Sequence, residues 1–280
     1  MAISTVAIYG LRVEVRSDVY GSGLFGCASG GSISNVAIES AAVFKTGDHR
    51  MDYYAILCGF ADDVTISGCS VSGRVESLDR FYIGGLVGGL INSTMTNCTA
   101  SGVTIKGKNF VGGLCGYMRN SAVSGCSAVN CIVNGNDMGA GGLVGSIQTS
   151  STGGIKNCTV SGTVKGRDYV GGLVGFCVGN GVGNSVYDCS ANVDLTSTGI
   201  SCGGLVGSLW GDDKSEFVGY GFDGTISGAS DVGAAVGTDS CLETLFDDCW
   251  YNADKTGDLP AVGESGGREY PGIIAKNLGK

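Results

Sequence analysis

Paired carboxylates and a single histidine are the residues of this chain whose types could support catalysis. Asp62–Asp63, Asp212–Asp213 with Glu216, and Asp247–Asp248 could hold calcium or act as acid and base on a polysaccharide. No Asp-x-Asp-x-Asp-Gly loop accompanies them, and His49 has no recognisable nucleophile or orienting group beside it. We therefore expect solubilising turn residues, an exposed loop histidine, no metal site, no cofactor and no enzyme activity.

Thirteen cysteines could form disulfides, but their spacing argues against it. The count is odd, no Cys-x-x-Cys pair occurs, and one subset follows a repeat of the chain. That subset is Cys69, Cys98, Cys126, Cys158 and Cys189. Stacked in register, these side chains would point the same way, so we expect a buried column of reduced thiols. Cys126 with Cys131, and Cys241 with Cys249, are the pairs that local turns could bring together.

Aromatic residues recur at the same interval and could form a binding surface. Each lies four residues before a repeat leucine: Tyr20, Tyr53, Tyr82, Phe110 and Tyr169, with Gly139 interrupting the series. Stacked coils would align these rings, which could dock sugar faces if they face solvent. Mutual stacking that stabilises the coils is the simpler interpretation, and both stay open. The longer excursion between Trp210 and Phe222 is a second candidate contact surface.

The element that must position these residues is a glycine pentapeptide that returns every 28 to 33 residues. Its five strong copies read Gly-Gly-Leu-Val-Gly, with cysteine in place of valine in the second copy. They contain Gly85, Leu86 and Gly88; Gly113, Leu114 and Gly116; Gly142, Leu143 and Gly145; Gly172, Leu173 and Gly175; and Gly204, Leu205 and Gly207. A period of this size indicates stacked units that are each too small to bury a core alone.

Each repeat holds two short apolar runs separated by Gly, Asn, Asp and Ser, the residues that favour turns. Such runs predict short strands rather than helices. We therefore expect an all-β protein: a parallel β-helix, or β-solenoid, of about eight coils of about 30 residues, right-handed by the preference of parallel crossovers. Residues 1–250 would form the solenoid. Residues 251–280, which contain both prolines, would form a C-terminal capping segment.

The glycine and cysteine motifs together resemble the GLUG repeat family of bacterial surface proteins, over roughly residues 4–252. This resemblance implies a β-solenoid module within larger exported proteins, some of them metallopeptidases, without implying that the repeat is catalytic. The His-Glu-x-x-His signature of such peptidases is absent here. The resemblance therefore implies an extracellular or cell-surface location as part of a longer protein, since the chain shows no signal peptide.

Net charge and hydropathy exclude several partners. A formal charge of −9 argues against nucleic acid, and no apolar run approaches the roughly 20 residues that membrane insertion needs. The chain opens in mid-coil, so we expect upstream repeats or a docking partner at that end. We expect a structural and adhesive module that presents a side wall to glycan or a host-surface protein. A phage tail fibre or spike component is the alternative, and a polysaccharide-active β-helix enzyme is the weaker one.

Overall fold

The computed structural model describes residues 6–15, 20–46, 52–149, 154–179 and 185–279, without the side chains of Thr149, Asp212 and Asp213. Strands of successive coils pair in parallel throughout these ranges, which confirms the predicted β-solenoid. The right-handed winding stays a prediction. The helix Ala253–Thr256 has four residues, and no helix in the described ranges has the length and apolarity to cross a membrane.

The first sheet has 15 strands and covers one side of the solenoid. Its first column follows the repeat leucine, or the alanine in its place, and consists of Phe25–Ser29, Cys58–Asp62, Val87–Ile91, Cys115–Arg119, Val144–Thr149, Val174–Gly179, Val206–Val218, Val236–Asp247 and Val262–Glu264. Its second column precedes the repeat cysteine and consists of Ser32–Ser34, Thr65–Ser67, Thr94–Thr96, Ala122–Ser124, Gly154–Lys156 and Ser185–Tyr187. Val206–Val218 and Val236–Asp247 each span both columns.

The second sheet has 19 strands and covers the opposite side. The strands that follow the repeat cysteine or its equivalent are Val6–Tyr9, Val36–Lys45, Ser70–Gly84, Thr99–Ser101, Ser127–Gly135, Thr159–Gly166, Ser190–Ser197, Gly221–Phe222, Cys249–Asn252 and Ile273–Lys276. Three further strands of this sheet follow later in their coils: Arg12–Val15, Thr104–Gly112 and Ile226–Ser227. The short strands before the Gly-Gly corner are Gly21–Ser22, Tyr53–Tyr54, Met138–Gly141, Asp168–Gly171, Ile200–Gly203 and Ser230–Gly233.

The strand registers place equivalent repeat residues over one another. Val87 pairs with Cys58 on one side and Cys115 on the other, and the same alignment continues from Val144 to Val236. The core therefore consists of columns of like side chains about 4.8 Å apart. The repeat leucines Leu57, Leu86, Leu114, Leu143, Leu173 and Leu205 are fully buried, whereas Leu24 in the first coil is only partly buried.

The corner glycines make room for the neighbouring coil. A Cβ at Gly113 would come within 2.1 Å of the Gly142 carbonyl oxygen, and one at Gly116 within 2.4 Å of the Tyr82 carbonyl carbon. Real Cβ atoms do not approach a backbone so closely, so any side chain here would push two coils apart. This is the physical reason for the pentapeptide.

The segment after Tyr251 adds a shorter coil to the stack. Val262–Glu264 pairs with Val236–Asp247, and Ile273–Lys276 pairs with Cys249–Asn252. The carbonyl of Pro260 accepts the Ala234 N–H at 2.7 Å, as a corner residue of a further repeat would. The predicted boundary at residue 250 thus lies inside a strand, and the capping role of residues 251–280 stays a prediction.

An ion pair between the buried Asp239 and the partly exposed Arg268 holds this last coil against the one before it. Asp239 continues a core column that is otherwise apolar: Leu90, Met118, Ile147, Cys177 and Leu209. Tyr270 donates a hydrogen bond to Asp239 Oδ2 at 2.7 Å, and the Arg268 guanidinium lies 3.6 Å from Oδ1. Arg268 also donates to the carbonyls of Asp239 and Cys241, both at 2.6 Å. We call Asp239, Arg268 and Tyr270 the C-terminal clasp.

At the N-terminal end of the described coils, no comparable set of ion-pair and hydrogen-bond contacts is present among the described residues. Val6–Tyr9 and Phe25–Ser29 each pair with one neighbouring strand, and Val6 and Phe25 keep 59% and 39% of their surface exposed. The partner or further repeats predicted at this end stay a prediction.

Candidate binding site on the solenoid surface

The aromatic residues that the sequence aligns lie at one corner, directly before the Gly-Gly turn. Tyr53 stacks on Tyr82 with 5.0 Å between ring centroids and 16° between ring planes. Tyr82 stacks on Phe110 at 5.5 Å and 11°, and Tyr20 lies 5.5 Å from Tyr53 at 34°. We call Tyr20, Tyr53, Tyr82, Phe110 and Tyr169 the aromatic ladder.

A second set of rings, which the repeat spacing does not predict, packs against the ladder across the same corner. Phe60, Tyr117 and Phe176 lie on the strands that follow the corner, in every second coil, with Gly89 and Ser146 between them. The signal in the sequence is an aromatic residue two positions after Cys58, Cys115 and Val174. Because these aromatic residues recur every two coils, a search for residues that recur in every coil does not find them.

This second set joins the ladder into one continuous cluster. The centroid distances are 5.0 Å for Tyr53–Phe60, 4.9 Å for Tyr82–Tyr117, 5.1 Å for Tyr169–Phe176 and 6.3 Å for Phe110–Phe176. Phe176 therefore bridges the gap at Gly139. Trp210 meets Phe176 edge to face at 6.1 Å, which places it beside the ladder rather than on a separate surface.

The ladder is both stacked and open to solvent. Tyr20 and Trp210 keep 62% and 47% of their surface exposed, and Tyr53, Tyr82, Phe110 and Tyr169 are half-buried. The stacking expected from the sequence is therefore present without removing the rings from the surface. Stacked rings present their edges and hydroxyl groups, whereas free ring faces remain only where the stack ends or is interrupted.

The backbone is left-handed at three of the five ladder residues. Tyr82, Phe110 and Tyr169 have φ values of 59°, 54° and 57°, and Ser201 and Asp231 at the equivalent position have 59° and 52°, whereas Tyr20 and Tyr53 do not adopt this conformation. This region costs a residue with a side chain about 1–2 kcal/mol, and bulky residues rarely occupy it. Three aromatic side chains occupy it despite the cost. Their mutual contacts must offset that cost.

Three of the ladder hydroxyl groups carry no charge at neutral pH. Burial raises the pKa of Tyr53, Tyr82 and Tyr169 above the ordinary value of a phenol, so all three hydroxyls stay protonated. Tyr117 donates its hydroxyl hydrogen to Gln148 Oε1 at 2.6 Å, which fixes its ring at the edge of the cluster. Apolar rings with hydroxyl groups at the rim suit a neutral ligand that has both apolar and hydroxyl surfaces.

The carboxylates considered for catalysis do not converge in the described residues. Asp62 accepts a hydrogen bond from Asn92 Nδ2 at 2.9 Å, across two coils at a turn. No three His, Cys, Asp or Glu side chains in the described ranges gather to hold a metal ion. His49 and the side chains of Asp212–Asp213 lie outside what the structure describes.

The repeat cysteines lie in the interior, with Cys69, Cys98, Cys126, Cys158 and Cys189 all buried. Cys98 donates its thiol hydrogen to the Thr96 carbonyl at 3.3 Å, and its sulfur lies 3.4 Å from the Cys69 backbone nitrogen as an acceptor. All thirteen cysteines are free, including Cys131, Cys241 and Cys249 of the two pairs that local turns could have joined. Burial raises the pKa of the Cys115 thiol to about 12, so it is protonated and unreactive.

The fold is a β-solenoid built from stacked repeats. Two segments, residues 79–106 and 136–165, match the sequence model of the GLUG motif, which confirms the resemblance. The first segment contains Tyr82 of the ladder, and the second contains Gly139, which interrupts it.

Similarity to known proteins extends to two others. The chain is 33% identical over 137 residues to halomucin of Haloquadratum walsbyi, an alignment that covers 45% of this chain and 2% of halomucin. Its structure is similar to that of a candidate immunoglobulin A1 protease from Bacteroides ovatus, with a TM-score of 0.44 and 18% identity. That similarity covers 97% of this chain and 67% of the other.

Proposed function

We propose that this chain is a non-catalytic structural and adhesive module of a larger secreted or cell-surface protein, and that it binds glycan along the aromatic ladder. The observation that carries the proposal is the run of stacked, half-buried rings at one corner, three of which lie in left-handed backbone that disfavours aromatic residues. Stability alone would be served as well by small residues at this left-handed position, such as the glycine at 139.

The stacked geometry defines how a glycan would bind. Sugar hydroxyls would contact the ring edges and phenol groups of Tyr53 and Tyr82 along the wall. Apolar sugar faces would lie on the free ring faces at Tyr20 and Trp210, where the cluster ends and exposure is greatest. A wall several coils long suits a polymer better than a single sugar, because weak contacts repeat along it.

The extracellular setting rests on the GLUG motifs and on the similarity to halomucin. The alignment spans only 2% of halomucin, so the proposal for this chain does not include the activity of the whole of halomucin. We propose that this chain is one β-solenoid module within a longer exported protein.

A panel of neutral oligosaccharides tests the proposal, with binding measured by calorimetry on the wild type and on Tyr82→Ala and Trp210→Ala. Tyr9→Ala is the matched control, because Tyr9 is 72% exposed and lies outside the ladder. Circular dichroism confirms that each variant is folded. Affinity lost in both Tyr82→Ala and Trp210→Ala and kept in the control supports the proposal. A folded wild type that binds no member of the panel, or variants that bind as well as the control, overturns it.

A further inference from the structure

The charge of this chain is distributed unevenly along the solenoid. Residues 1–187 carry 12 Lys and Arg against 11 Asp and Glu, whereas residues 188–280 carry 5 against 15. The formal charge of −9 therefore belongs almost entirely to the last coils. The earlier coils are close to neutral, and an anion can approach them without crossing a strongly negative field.

Two adjoining open grooves lie on the outer face of the second sheet, within these earlier coils. The first has a volume of about 440 Å³ and is lined by Arg12, Phe44, Lys45, Arg74, Glu76, Ser77, Leu78 and Asp79. The second, of about 560 Å³, shares Arg74 and Glu76 with the first and extends to Thr104 and Lys106. Together they run across four successive coils.

A bulge in one strand forms the rim of the first groove. In Ser70–Gly84, Ser77 pairs with Gly107 and Phe81 with Asn109, so three residues on one strand lie opposite one on the next. The extra residues project outward and leave Leu78 52% exposed beside Asp79. The bulge converts a flat sheet face into a trough.

Arg74 lies where the two grooves meet, and it is exposed. The other cations nearby are engaged: Arg12 with Glu14 at 2.7 Å, Lys45 with Asp79, and Lys106 with Glu76 at 3.9 Å. Within the described part of the chain, Arg74 forms neither a hydrogen bond nor an ion pair. Its guanidinium group is thus available for a planar anion such as a carboxylate.

The strand registers align further cations with Arg74 along the axis. Arg12, Ala42 and Arg74 occupy one outward column, and Phe44, Glu76 and Lys106 occupy the next. Arg12 therefore lies about 10 Å before Arg74 and Lys106 about 5 Å after it, at the strand spacing of a sheet. The Arg12 guanidinium also lies 4.5 Å from the Phe44 ring centroid, which gives the trough an aromatic wall.

We propose that these two grooves bind an acidic polysaccharide, with Arg74 holding the carboxylate of a uronic acid unit. Glu76 and Asp79 accept hydrogen bonds from sugar hydroxyls, and Phe44 with the Leu78 side chain contacts the apolar face of the ring. This site is separate from the aromatic ladder, since no ladder residue lines either groove.

Calorimetry with hexagalacturonic acid and with its methyl ester tests the proposal on the folded full chain. We expect binding of the acid, no measurable binding of the ester, and weaker binding as NaCl rises from about 50 to about 300 mM. Arg74→Ala should reduce affinity for the acid at least about tenfold, the loss typical of a charged hydrogen-bond partner.

Arg119→Ala is the matched control, because it removes the same charge from an exposed site on the first sheet. It should leave the affinity unchanged. Equal losses in Arg74→Ala and Arg119→Ala overturn the proposal, as does equal binding of acid and ester. Tighter binding of a single-stranded oligonucleotide than of the uronate also overturns it.

Discussion

The ring of Tyr53 lies against the α-carbon of Gly89 in the next coil. A Cβ built on Gly89 would come within 2.6 Å of Tyr53 Cε1 and 2.7 Å of Cδ1. Gly89 falls between Phe60 and Tyr117 in the second aromatic set, so the absence of a side chain there admits a ring from the ladder. One glycine thus joins the two sets of rings.

Gly89→Ala should displace the Tyr53 ring and lower the free energy of unfolding by about 1–2 kcal/mol, as overpacking does. Ser146→Ala, at the equivalent position two coils on, is the control and should change it less. Urea unfolding gives the free energies, and the tyrosine bands of the near-ultraviolet circular dichroism report the ring. Equal effects of the two substitutions would contradict this packing.

Replacements of Tyr82 separate the contribution of the ring from that of the backbone. Alanine and glycine both remove the ring, but only glycine relieves the left-handed conformation at φ 59°. Tyr82→Gly should therefore be more stable than Tyr82→Ala by about 1 kcal/mol. Thermal and urea unfolding of the two variants measure the difference. An alanine variant as stable as the glycine variant would show that the corner does not require this conformation.

The corner glycines should differ sharply from glycines that merely turn the chain. Gly113→Ala places a Cβ 2.1 Å from a backbone oxygen, and we expect a loss of more than about 3 kcal/mol or failure to fold. Gly102 has φ +61° and no atom within 4 Å of where a Cβ would lie, so Gly102→Ala should cost about 1 kcal/mol. Soluble yield and urea midpoints compare the two. Similar costs would remove the steric explanation of the repeat.

Buried thiols predict a loss of stability at alkaline pH. Burial raises the pKa of Cys58, Cys115 and Cys202 from about 9 to about 12. Above pH 9 the unfolded thiols ionise while the folded ones stay protonated, so unfolding releases protons and stability falls towards pH 12. Each such thiol contributes a slope of up to about 1.4 kcal/mol per pH unit, and none of this loss occurs below about pH 8.

Valine substitutions isolate this effect. Cys58 and Cys115 stand in a column with Val87 and Val144, so Cys58→Val and Cys115→Val should be accommodated at neutral pH. The double variant should show a shallower decline between about pH 9 and about pH 10.5 in urea unfolding under reductant. An unchanged decline would assign the alkaline loss to other groups, such as the buried tyrosines.

The C-terminal clasp should be sensitive to loss of its cation. Arg268→Ala leaves the buried Asp239 carboxylate without its counter-charge, and we expect a loss of about 2–4 kcal/mol in the coils it fastens. Lys276→Ala, which removes a cation that lies 5.0 Å from the Trp250 ring on the same segment, should cost less than about 1 kcal/mol. Hydrogen exchange of Val262–Glu264 reports the local opening. Equal protection in both variants would contradict a fastening role.

The repeat period predicted the fold because parallel stacking turns sequence spacing into register. The glycine pentapeptide fixed where each coil turns, and the ladder followed because Tyr53, Tyr82 and Phe110 keep a constant offset from the repeat leucine. What escaped prediction lacks that periodicity. Phe60, Tyr117 and Phe176 repeat every two coils, and the outward column of Arg74 is occupied differently in each coil.

Other features depend on contacts that no spacing reveals. Asp239 resembles the acidic turn residues around it in the sequence, and only its partner Arg268, 29 residues later, explains its burial. Aromatic residues in left-handed backbone are rare enough that the conformation of Tyr82 was not expected from its type. The coil formed by Val262 and Ile273 has lost the repeat leucine and cysteine that mark the others.

The clasp would make the resistance of the described coils to mechanical load uneven along the rod. Under a force along the axis, coils would separate one at a time and those held by the clasp last, since each coil is held only by its neighbours. Each coil released would add roughly 100 Å of extended chain, at about 3.3–3.6 Å per residue over some 30 residues. The solenoid would then lengthen in steps and absorb work at each one.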